Sequence, residues 1–448
     1  MATTRIYRTA GTPTSQKKGT VSFWVKMGTI TANEHIFDTY TDANNRSHIQ
    51  FDDVDKIDVR FKVSGTNIGR IVCTPKFRDP TAWYHIVVTL DTTQSTSSDR
   101  IKLYINGEQN TSADSGFTTE TYPSQNADVN LSGTHTIGAY HDNGSPSLYF
   151  TGSLTHVHYT DGYAYPASTF GETDSTSGIW KPKTSPSVTY GTNGFFLKFE
   201  NSGNLDLDSS GNNLSFTTAG TLTQGVDTPS NNFSTMDPTI PITSSGTTLS
   251  NGLTTVTSSG ASHKNAFSSL GVSSGKWYTE MKVTTLNTHQ KVGVINEDNS
   301  EISKTSPSEF SGNANGYAYR NDGQKEGGGG SIGSYGNSFT AGDIIGIAMD
   351  LDNNKLYFSK NGTFQDSGNP ASGASGTGAA FTLTADKTYF FAVNQYNSNV
   401  SNFNFGSGFF GTTAVASANA DANGFGAFEY AVPSGYYALC TKNIKEFG

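Results

Sequence analysis

Two strand-like segments that end in Asn-Gly constrain the fold of this chain more than any other feature. One spans residues 101–107 (IKLYING) and the other spans residues 356–362 (LYFSKNG). Asn-Gly after alternating apolar residues is a strong signal for a tight β-hairpin turn, because both positions tolerate a positive φ. Each segment accompanies an aromatic-rich one, residues 83–90 (WYHIVVTL) and 275–280 (GKWYTE) respectively. The combination predicts two antiparallel β-domains in one chain.

Apolar residues alternate with polar ones along much of the sequence. Ile101, Leu103 and Ile105 share one face of a strand, and residues 344–349 (IIGIAM) form a continuous apolar run. Alternation is typical of half-buried strands, whereas such a run suits a central strand that is buried on both faces. No helical periodicity persists over 11 residues. We therefore predict an all-β protein with two jelly-roll-like antiparallel β-sandwiches.

Shifts in composition divide the 448 residues into four segments. The first sandwich is predicted at 1–167 and the second at 242–406. A connector at 168–241 is rich in Pro, Ser and Thr and contains isolated strands, such as 195–200 (FFLKFE). The C-terminal segment 407–448 is too aromatic for a flexible linker, and we expect it to be packed.

Charge and cysteine content exclude several classes of protein. The formal net charge is −9 and the only basic cluster is Lys17-Lys18, so nucleic acid is not an expected partner. No apolar segment is long enough to cross a membrane, and the N-terminal residues lack the apolar core of a signal peptide. Cys73 and Cys440 fall in different predicted domains, so no disulfide is expected. These features predict a soluble protein that folds in a reducing cytoplasm.

The first half of the chain resembles the laminin-G/concanavalin-A-like superfamily of lectin sandwiches. The matching segments are 21–26 (VSFWVK), 83–89 (WYHIVVT), 102–107 (KLYING), 136–138 (TIG) and 150–157 (FTGSLTHV). Members of that family usually have a full strand before the segment that resembles Ile6 to Thr9, and this chain starts almost there. The missing strand is supplied either by another segment of this chain, such as residues 195–199, or by a neighbouring subunit.

The second half is similar to the SPRY domain family. The matching segments are 275–280 (GKWYTE), 292–294 (VGV), 316–320 (GYAYR), 342–346 (GDIIG), 350–352 (DLD), 356–362 (LYFSKNG) and 404–406 (NFG). The resemblance implies an interaction module without enzymatic chemistry of its own.

The connector and the C-terminal segment resemble parts of virion structural proteins of tailed bacteriophages. The segments concerned are 170–172 (FGE), 178–182 (GIWKP), 208–213 (DSSGNN), 227–229 (DTP), 231–233 (NNF) and 433–443 (PSGYYALCTKN). This resemblance implies a tail, fibre or head-decoration component that is assembled in the bacterial cytoplasm and located in the virion. It also implies other virion proteins as partners and a homo-oligomer such as a trimer.

No catalytic residues, cofactor or metal are predicted. A retaining glycosidase needs two carboxylates about 5–5.5 Å apart, but the acidic stretch 52–58 lacks Glu, and Glu297 and Glu301 flank a turn; both are interpreted as solvated acidic edges. His156 and His158 share a strand face and would build a metal site in a trimer, but without a third ligand an exposed polar pair is favoured. The Asp206-x-Asp208-x-Ser210 run lacks the Glu that a calcium loop needs, so an Asx-turn is favoured.

Loops are the best candidates for ligand binding, since they carry function on rigid sandwiches. Loops that combine aromatic, amide, acidic and basic side chains suit sugar hydroxyls, although the same composition also fits ordinary solvated turns. The candidate ligand-binding residues are Tyr40, Asp42, Asn44, Arg46, His141, Asp142 and Asn143 in the first half, and Tyr319, Arg320, Asp322, Asn394 and Tyr396 in the second.

These observations lead to one favoured function and two alternatives. We expect a surface-exposed phage virion protein (tail fibre, tail or head decoration) that adheres to host surface glycans or proteins. A purely architectural protein that cements the capsid or tail is the alternative. A polysaccharide depolymerase is the third hypothesis, and the lack of a carboxylate pair argues against it.

Overall fold

Nearly every regular element of the computed structural model is a β-strand, which confirms the predicted all-β class. The structure describes residues 3–129, 131–142, 144–175, 178–239, 246–304 and 308–448. It contains two compact units, Met1–Gln224 and Gly225–Gly448, and each is built around paired antiparallel sheets. The predicted connector is thus shared between the units, with residues 168–224 in the first.

The first unit contains sixteen strands among its described residues. They are β1 (Arg5–Thr9), β2 (Lys18–Lys26), β3 (Glu34–Asp42), β4 (Asn45–Phe51), β5 (Ile57–Val63), β6 (Thr66–Cys73), β7 (Trp83–Asp91), β8 (Ile101–Ile105), β9 (Glu108–Asn110), β10 (Phe117–Thr121), β11 (Thr134–Ile137), β12 (Ser153–Asp161), β13 (Gly171–Thr173), β14 (Trp180–Pro182), β15 (Phe195–Leu197) and β16 (Thr217–Ala219). Single-turn 3₁₀ helices lie at Ser97–Asp99, Ser112–Asp114 and Ala167–Thr169.

Two sheets enclose the core of this unit. The eight-stranded sheet has the order β10-β6-β5-β4-β3-β11-β1-β16, and the six-stranded sheet has the order β15-β12-β2-β7-β8-β9. Apolar side chains from alternate positions of both sheets fill the space between them, among them Phe23, Ile57, Ile86 and Leu103. This alternation is the predicted period-2 pattern.

The strand that the sequence left unassigned comes from the same chain. β15 pairs antiparallel with β12, with Leu197 opposite Val157 and Phe195 opposite Tyr159. All four side chains belong to the apolar core. The first of the two predicted sources, residues 195–199, is therefore confirmed.

The connector also covers the outer side of the six-stranded sheet, which corrects one prediction. His158 was expected to be exposed, but only 1 % of its surface is accessible. Its ring stacks 3.8 Å from the ring of Phe196, and its Nδ1 lies 2.9 Å from the hydroxyl of Tyr190. Connector residues bury this face, so His158 and the half-buried His156 do not form an exposed polar pair. Within the described ranges, no three His, Cys, Asp or Glu residues are grouped to hold a metal ion.

The second unit has seventeen strands and one α-helix in its described part. They are β17 (Thr247–Ser250), β18 (Thr255–Ser258), β19 (His263–Phe267), β20 (Lys276–Thr285), β21 (Gln290–Asn296), β22 (Gly316–Arg320), β23 (Gln324–Gly327), β24 (Ser331–Ser334), β25 (Ile344–Asp350), β26 (Lys355–Lys360), β27 (Thr363–Phe364), β28 (Phe381–Thr382), β29 (Tyr389–Tyr396), β30 (Val400–Asn404), β31 (Phe409–Phe410), β32 (Thr413–Ala414), β33 (Tyr437–Ala438) and α1 (Thr441–Phe447). Short 3₁₀ segments lie at Ser300–Ser303, Phe310–Gly312, Gln365–Ser367 and Pro370–Ser375. No helix in these ranges has the length and apolar character to cross a membrane.

The two main sheets of this unit pack as a second sandwich. One has the order β17-β18-β30-β20-β25-β26-β27, with β28 and β33 added at β26 and β20, and the other has the order β19-β29-β21-β22-β23-β24. Every residue of β25 is buried, which confirms the central strand predicted from its apolar run. Ile345 and Ile347 face the core between the sheets, while Ala348 faces a separate apolar cluster on the outer side.

That outer cluster is formed with the C-terminal segment. Phe428, Tyr436 and Cys440 pack there against Tyr278 and Tyr357 of the sheet. β33 extends the contact by pairing parallel with β20. The aromatic C-terminal segment is packed, as its composition predicted.

Both Asn-Gly steps form the expected hairpin turns. The φ angles are 51° and 91° at Asn106 and Gly107, and 48° and 80° at Asn361 and Gly362. The turns join β8 to β9 and β26 to β27. In the first unit the aromatic-rich β7 is the direct neighbour of β8, whereas in the second unit β25 separates the aromatic-rich β20 from β26.

Candidate ligand-binding site

Four basic side chains lie together on the outer side of the eight-stranded sheet. In the register of β4 and β5, Arg46 is opposite Lys62 and His48 is opposite Arg60. Their neighbours along each strand, such as Ile49 and Val59, point into the core. Because side chains alternate between the two sides of a strand, the four basic residues share the outer side. We call this group, Arg46, His48, Arg60 and Lys62, the cationic face.

The cationic face lines a cavity. The cavity has a volume of about 220 Å³, and it is completed by Gly65 and Asn67 from the turn and strand that follow β5. Among the described residues, its lining is mostly polar and includes no carboxylate. The cavity therefore offers hydrogen-bond donors and positive charge to a bound group.

An aromatic rim lies beside the cationic face. The guanidinium of Arg46 lies 5.2 Å from the ring centre of Tyr140 and donates a hydrogen bond to its hydroxyl. The ring of Tyr40, which is opposite Arg46 in the β3–β4 register, lies 4.9 Å from the ring of His141. We call Tyr40, Tyr140 and His141 the aromatic rim. The structure thus brings together Tyr40, Arg46 and His141 from the two loops predicted to bind ligand.

Two buried carboxylates on the same side of the sheet hold these groups in position. Asp38 accepts hydrogen bonds from the backbone nitrogen of His141 at 3.1 Å and shares one with Nδ1 of His35 at 2.7 Å. Burial raises the pKa of Asp38, although the nearby His35 opposes this shift. Asp58 pairs with both Arg60, at 3.0 Å, and Arg70, at 2.7 Å. Asp38 therefore fixes the backbone at His141, and Asp58 orients a side chain of the cationic face.

His48 is held in its neutral form. It is 8 % exposed, and burial together with the electrostatic influence of His35 and the nearby arginines holds its pKa well below the usual value. Its Nε2 atom has no hydrogen-bond partner among the described residues. A neutral imidazole beside arginines can donate or accept a hydrogen bond, depending on its tautomer.

The other candidates of the first unit occupy turns. Asp42 is exposed, and its carboxylate accepts hydrogen bonds from the backbone nitrogens of Asn44 and Asn45, at 2.7 and 3.0 Å. A hydrogen bond from the Asn45 side chain, these backbone bonds and the charge of Lys62 lower the pKa of Asp42. Asn44 and Asp142 are exposed, and Asn143 lies outside the described residues. Asp42 and Asn44 shape the β3–β4 turn next to Arg46.

The structure corrects two candidates of the second unit. Tyr319 is fully buried in the core between the sheets, and its hydroxyl donates to the carbonyl of Asn337. It alternates with the outward-facing Arg320, so a ligand outside the sandwich cannot reach it. Asn394 is also fully buried, and its side chain bonds to Asn265 at 2.7 Å and to His263 at 3.0 Å.

Two of the remaining candidates of that unit, Arg320 and Asp322, take part in an ion-pair network, and the third, Tyr396, makes a ring contact. Arg320 bonds to Asp322 at 2.9 Å and to Glu326 at 2.6 Å, and Glu326 in turn bonds to Lys291 at 2.8 Å. The ring of Tyr396 lies 5.0 Å from that of His263. Because the charges of Arg320 are compensated within the protein, these residues are better suited to stabilise the sheet than to bind a ligand.

The acidic residues interpreted as solvated edges are partly buried, which is a further correction. Asp55 and Asp58 are each 1 % exposed; Asp55 pairs with Arg78 at 2.9 Å. Glu301 is equally buried and accepts hydrogen bonds from the backbone and side chain of Ser308, both at 2.7 Å. Asp208 does form the predicted Asx-turn, because it accepts from the backbone nitrogen of Ser210 at 2.9 Å.

Several residues of the site were missed by sequence reasoning. His48, Arg60 and Lys62 lie within strands, whereas the binding residues predicted from the sequence were expected in loops. The signal was present as two short runs, Arg46-x-His48 and Arg60-x-Lys62, in which basic residues two positions apart must share one side of a strand. Their meeting depends on the pairing of β4 with β5, which the runs alone do not specify.

Comparison with protein families finds one matching domain in each half of the chain. Residues 3–163 match the family described as the concanavalin A-like lectin/glucanases superfamily, in its laminin-G form. Residues 276–408 match the SPRY domain family. A concanavalin-A-like domain followed by a SPRY domain is therefore confirmed, and the cationic face lies in the former.

Solved structures with similarity to the chain include two SPRY domains and a pentraxin. The SPRY domain of human HERC1 is 21% identical, with 38% of this chain and 96% of that chain covered and a TM-score of 0.29. Another human SPRY domain is 17% identical, with coverages of 34% and 90% and a TM-score of 0.25. The native heptameric SAP-like pentraxin from Limulus polyphemus is 14% identical, with coverages of 49% and 90% and a TM-score of 0.30. A search of curated proteins found no match.

Proposed function

We propose that this chain is a non-enzymatic structural protein on the surface of a tailed-phage particle, and that it adheres to host surface glycans through the aromatic rim of its first unit. It would serve as a tail fibre, tail or head-decoration component. The observation that carries the adhesion proposal is the placement of Tyr140 against Arg46 next to an open cavity of about 220 Å³. Concave sites that combine aromatic rings with a few fixed polar groups are the usual form of small-ligand sites.

The domain types and the local chemistry favour binding over catalysis. Concanavalin-A-like lectin and SPRY domains are typically non-catalytic binding domains. The buried carboxylates nearest the rim are engaged: Asp38 with His35, and Asp58 with Arg60 and Arg70. A glycosidase needs one carboxyl group free to donate a proton and a second free to act as nucleophile or base.

A virion context would strengthen weak individual sites. In a homo-oligomer such as a trimer, several copies would engage one cell surface at once, and linked sites raise the overall affinity without any new contact. The segments of the connector and the C-terminal segment that resemble virion proteins support this context. Other virion proteins would then anchor the chain in the particle.

A glycan array of bacterial surface polysaccharides, probed with the purified full chain, tests the adhesion function. We expect binding by the wild type and a loss of at least tenfold in the R46A and Y140A variants. The K76A variant is the matched control, since Lys76 is an exposed lysine that follows β6 near the opposite end of β4 and β5. Thermal melting of each variant checks that the fold is retained.

Three outcomes would contradict parts of this proposal. Binding that survives in both R46A and Y140A would exclude the rim as the site. Release of oligosaccharides from a polysaccharide would show that the protein is an enzyme. A chain that binds no glycan, and that is located between capsid or tail subunits in an intact particle, would have an architectural role instead.

A further inference from the structure

The cationic face carries more positive charge than the described residues neutralise through ion pairs. Arg46 donates to the hydroxyl of Tyr140, and Lys62 donates to the carbonyl of Ala43 at 2.9 Å, so both hydrogen-bond to neutral oxygens. Arg60 shares the carboxylate of Asp58 with Arg70. Among the described residues, neither Arg46 nor Lys62 forms an ion pair with a carboxylate.

This local excess stands out because the whole chain carries a formal charge of −9. Like charges that are held close together repel each other, and the repulsion is stronger where the site is partly shielded from water. Arg46 lies directly opposite Lys62, so an anion bound between them would reduce their repulsion and stabilise the sheet.

Unsatisfied polar atoms at the same place point to a missing group. His48 lines the cavity, is more than nine-tenths buried, and has an Nε2 atom without a partner in the described ranges. The Nε atom of Arg60, which lies opposite His48, is also unpartnered there. Buried polar atoms without partners are rare in folded proteins, and a ligand is one of the ways in which they are satisfied.

We propose that the cationic face is an oxyanion subsite and that the glycan bound by this protein is acidic, with a carboxylate or sulfate group seated among Arg46, His48, Arg60 and Lys62. The inference rests on the proposed adhesion function and names its ligand class. Arginine presents paired donors that match the oxygens of a carboxylate or sulfate, and a lysine adds a compact charge. The aromatic rim then contacts the sugar to which the anion is attached.

The size and surroundings of the cavity favour a single charged sugar over a polyanion. The cavity of about 220 Å³ has room for one sugar ring with its charged group. A long polyanion such as a nucleic acid would extend over the rest of an acidic protein, where repulsion opposes binding.

The test compares oligosaccharides that differ only in charge. Calorimetry on the full chain at low salt would measure the affinity for trigalacturonate and for its methyl ester, which has the same sugars without the charges. A singly sulfated trisaccharide and its unsulfated form distinguish a sulfate from a carboxylate, and inorganic sulfate measures the anion alone. We expect at least one acidic form to bind at least tenfold more tightly than its neutral counterpart.

Variants locate the effect. K62Q and H48F should each reduce the ratio of acidic to neutral affinity by about fivefold or more, whereas the control K76Q should leave that ratio as in the wild type. Lys62 is partly exposed at the surface of the sheet, so K62Q tests the subsite even if H48F does not fold.

Each outcome separates the subsite from the adhesion function. Equal affinity for the acidic and neutral forms would overturn the oxyanion subsite but would not contradict the adhesion function. Glycan-array binding confined to neutral glycans would have the same two consequences. An acid preference that K62Q does not reduce places the anion elsewhere and also overturns the proposal. Binding of inorganic sulfate without binding of any glycan overturns the assignment to a glycan and the adhesion function together.

Discussion

The side-chain oxygen of Asn106 lies 2.8 Å from the backbone nitrogen of His85 and accepts its hydrogen bond. The backbone nitrogen of Asn106 donates back to the carbonyl of His85, also at 2.8 Å. The second unit repeats this arrangement, because Asn361 accepts from the nitrogen of Ile344 at 2.8 Å and donates to its carbonyl at 2.8 Å. Each Asn-Gly turn is thus attached to the strand beside its hairpin as well as closing the hairpin.

Removing this side chain should destabilise the unit that contains it. We expect N106A and N361A each to lower the free energy of unfolding by about 2 kcal/mol, since a backbone N–H loses its acceptor and alanine tolerates a positive φ poorly. N106D and N361D are the matched controls, because aspartate keeps the acceptor oxygen and accepts this backbone conformation. Urea denaturation measures the difference, and alanine variants as stable as the aspartate variants would contradict the role of the side chain.

Trp180 attaches the connector to the six-stranded sheet of the first unit. Its indole N–H donates to Nδ1 of His85 at 3.0 Å, and Nε2 of His85 lies 2.9 Å from the hydroxyl of Ser22. Since an indole only donates, Nδ1 must be the acceptor, so Nε2 carries the proton and donates to Ser22. W180F should cost about 1–3 kcal/mol, because it leaves Nδ1 of a buried histidine without a partner.

A double-mutant cycle with H85F tests that explanation. When His85 is already absent, replacing Trp180 by phenylalanine removes no hydrogen bond, so the second substitution should cost less in H85F than in the wild type. Equal costs in both backgrounds would show that Trp180 contributes through packing alone.

Short sequence patterns correctly predicted a buried strand and two turns, because the conformation of such elements depends mainly on neighbouring residues. The buried β25 follows from a continuous apolar run, and the turns at Asn106 and Asn361 follow from Asn-Gly. The pairing of β15 with β12 joins residues about forty positions apart, and the sequence left its source open. Such pairings depend on which long-range contacts bury the most apolar surface, and a short pattern does not contain that information.

In the candidate site, too, the sequence predicted features that depend on neighbouring residues and missed those that depend on strand pairing. Arg46 and His141 were predicted from loop composition, because aromatic, basic and amide residues in turns are visible in the sequence. Tyr319 was wrongly included because its neighbours Arg320 and Asp322 suggested a polar loop, whereas alternation along β22 turns it inward. His48 and Arg60 were missed because only the β4–β5 register places them side by side.

Glu280 should make the stability of the second unit fall as the pH rises. Its carboxyl group accepts hydrogen bonds from the backbone nitrogens of Glu429 and Tyr430, both at 2.8 Å, and thereby holds the C-terminal segment. Burial raises the pKa of Glu280 to about 7, above its unfolded value of 4.5. The folded state therefore binds the extra proton between these values, so the stabilisation is complete below pH 4.5 and is lost as the pH rises through 7.

The expected loss is about 3 kcal/mol at most, since one pKa unit corresponds to about 1.4 kcal/mol. Denaturant midpoints of the second unit at pH 5, 6, 7 and 8 would measure it. The E280Q variant carries no titrating group at this position, so its stability should depend less on pH over that range. An unchanged pH dependence in E280Q would assign the effect to another residue.

His85 should give the first unit the opposite dependence on pH. Burial lowers the pKa of His85 to about 3, below its unfolded value of 6.5. Between these two pKa values the unfolded chain is protonated at His85 and the folded state is not. The stabilisation present above pH 6.5 is therefore lost as the pH falls towards 3. The H85F variant should weaken this dependence, and a slope identical to that of the wild type between pH 6.5 and 4 would contradict it.

The two cysteines allow the units to be followed separately in the intact chain. Cys73 lies in the first unit and Cys440 in the second, both are buried, and neither forms a disulfide. Burial raises the pKa of Cys73 to about 12, so its thiolate is scarce even at pH 9, and thiolates are the reactive form.

We expect both thiols to resist a maleimide in the folded protein and to react when their own unit unfolds. In the C440S variant only Cys73 remains, and we expect N106A to shift its labelling to lower urea concentrations. In the C73S variant only Cys440 remains, and we expect N361A to have the same effect there. Rapid labelling of either thiol without denaturant would contradict its burial, and an equal response of both thiols to N106A would show that the two units unfold together.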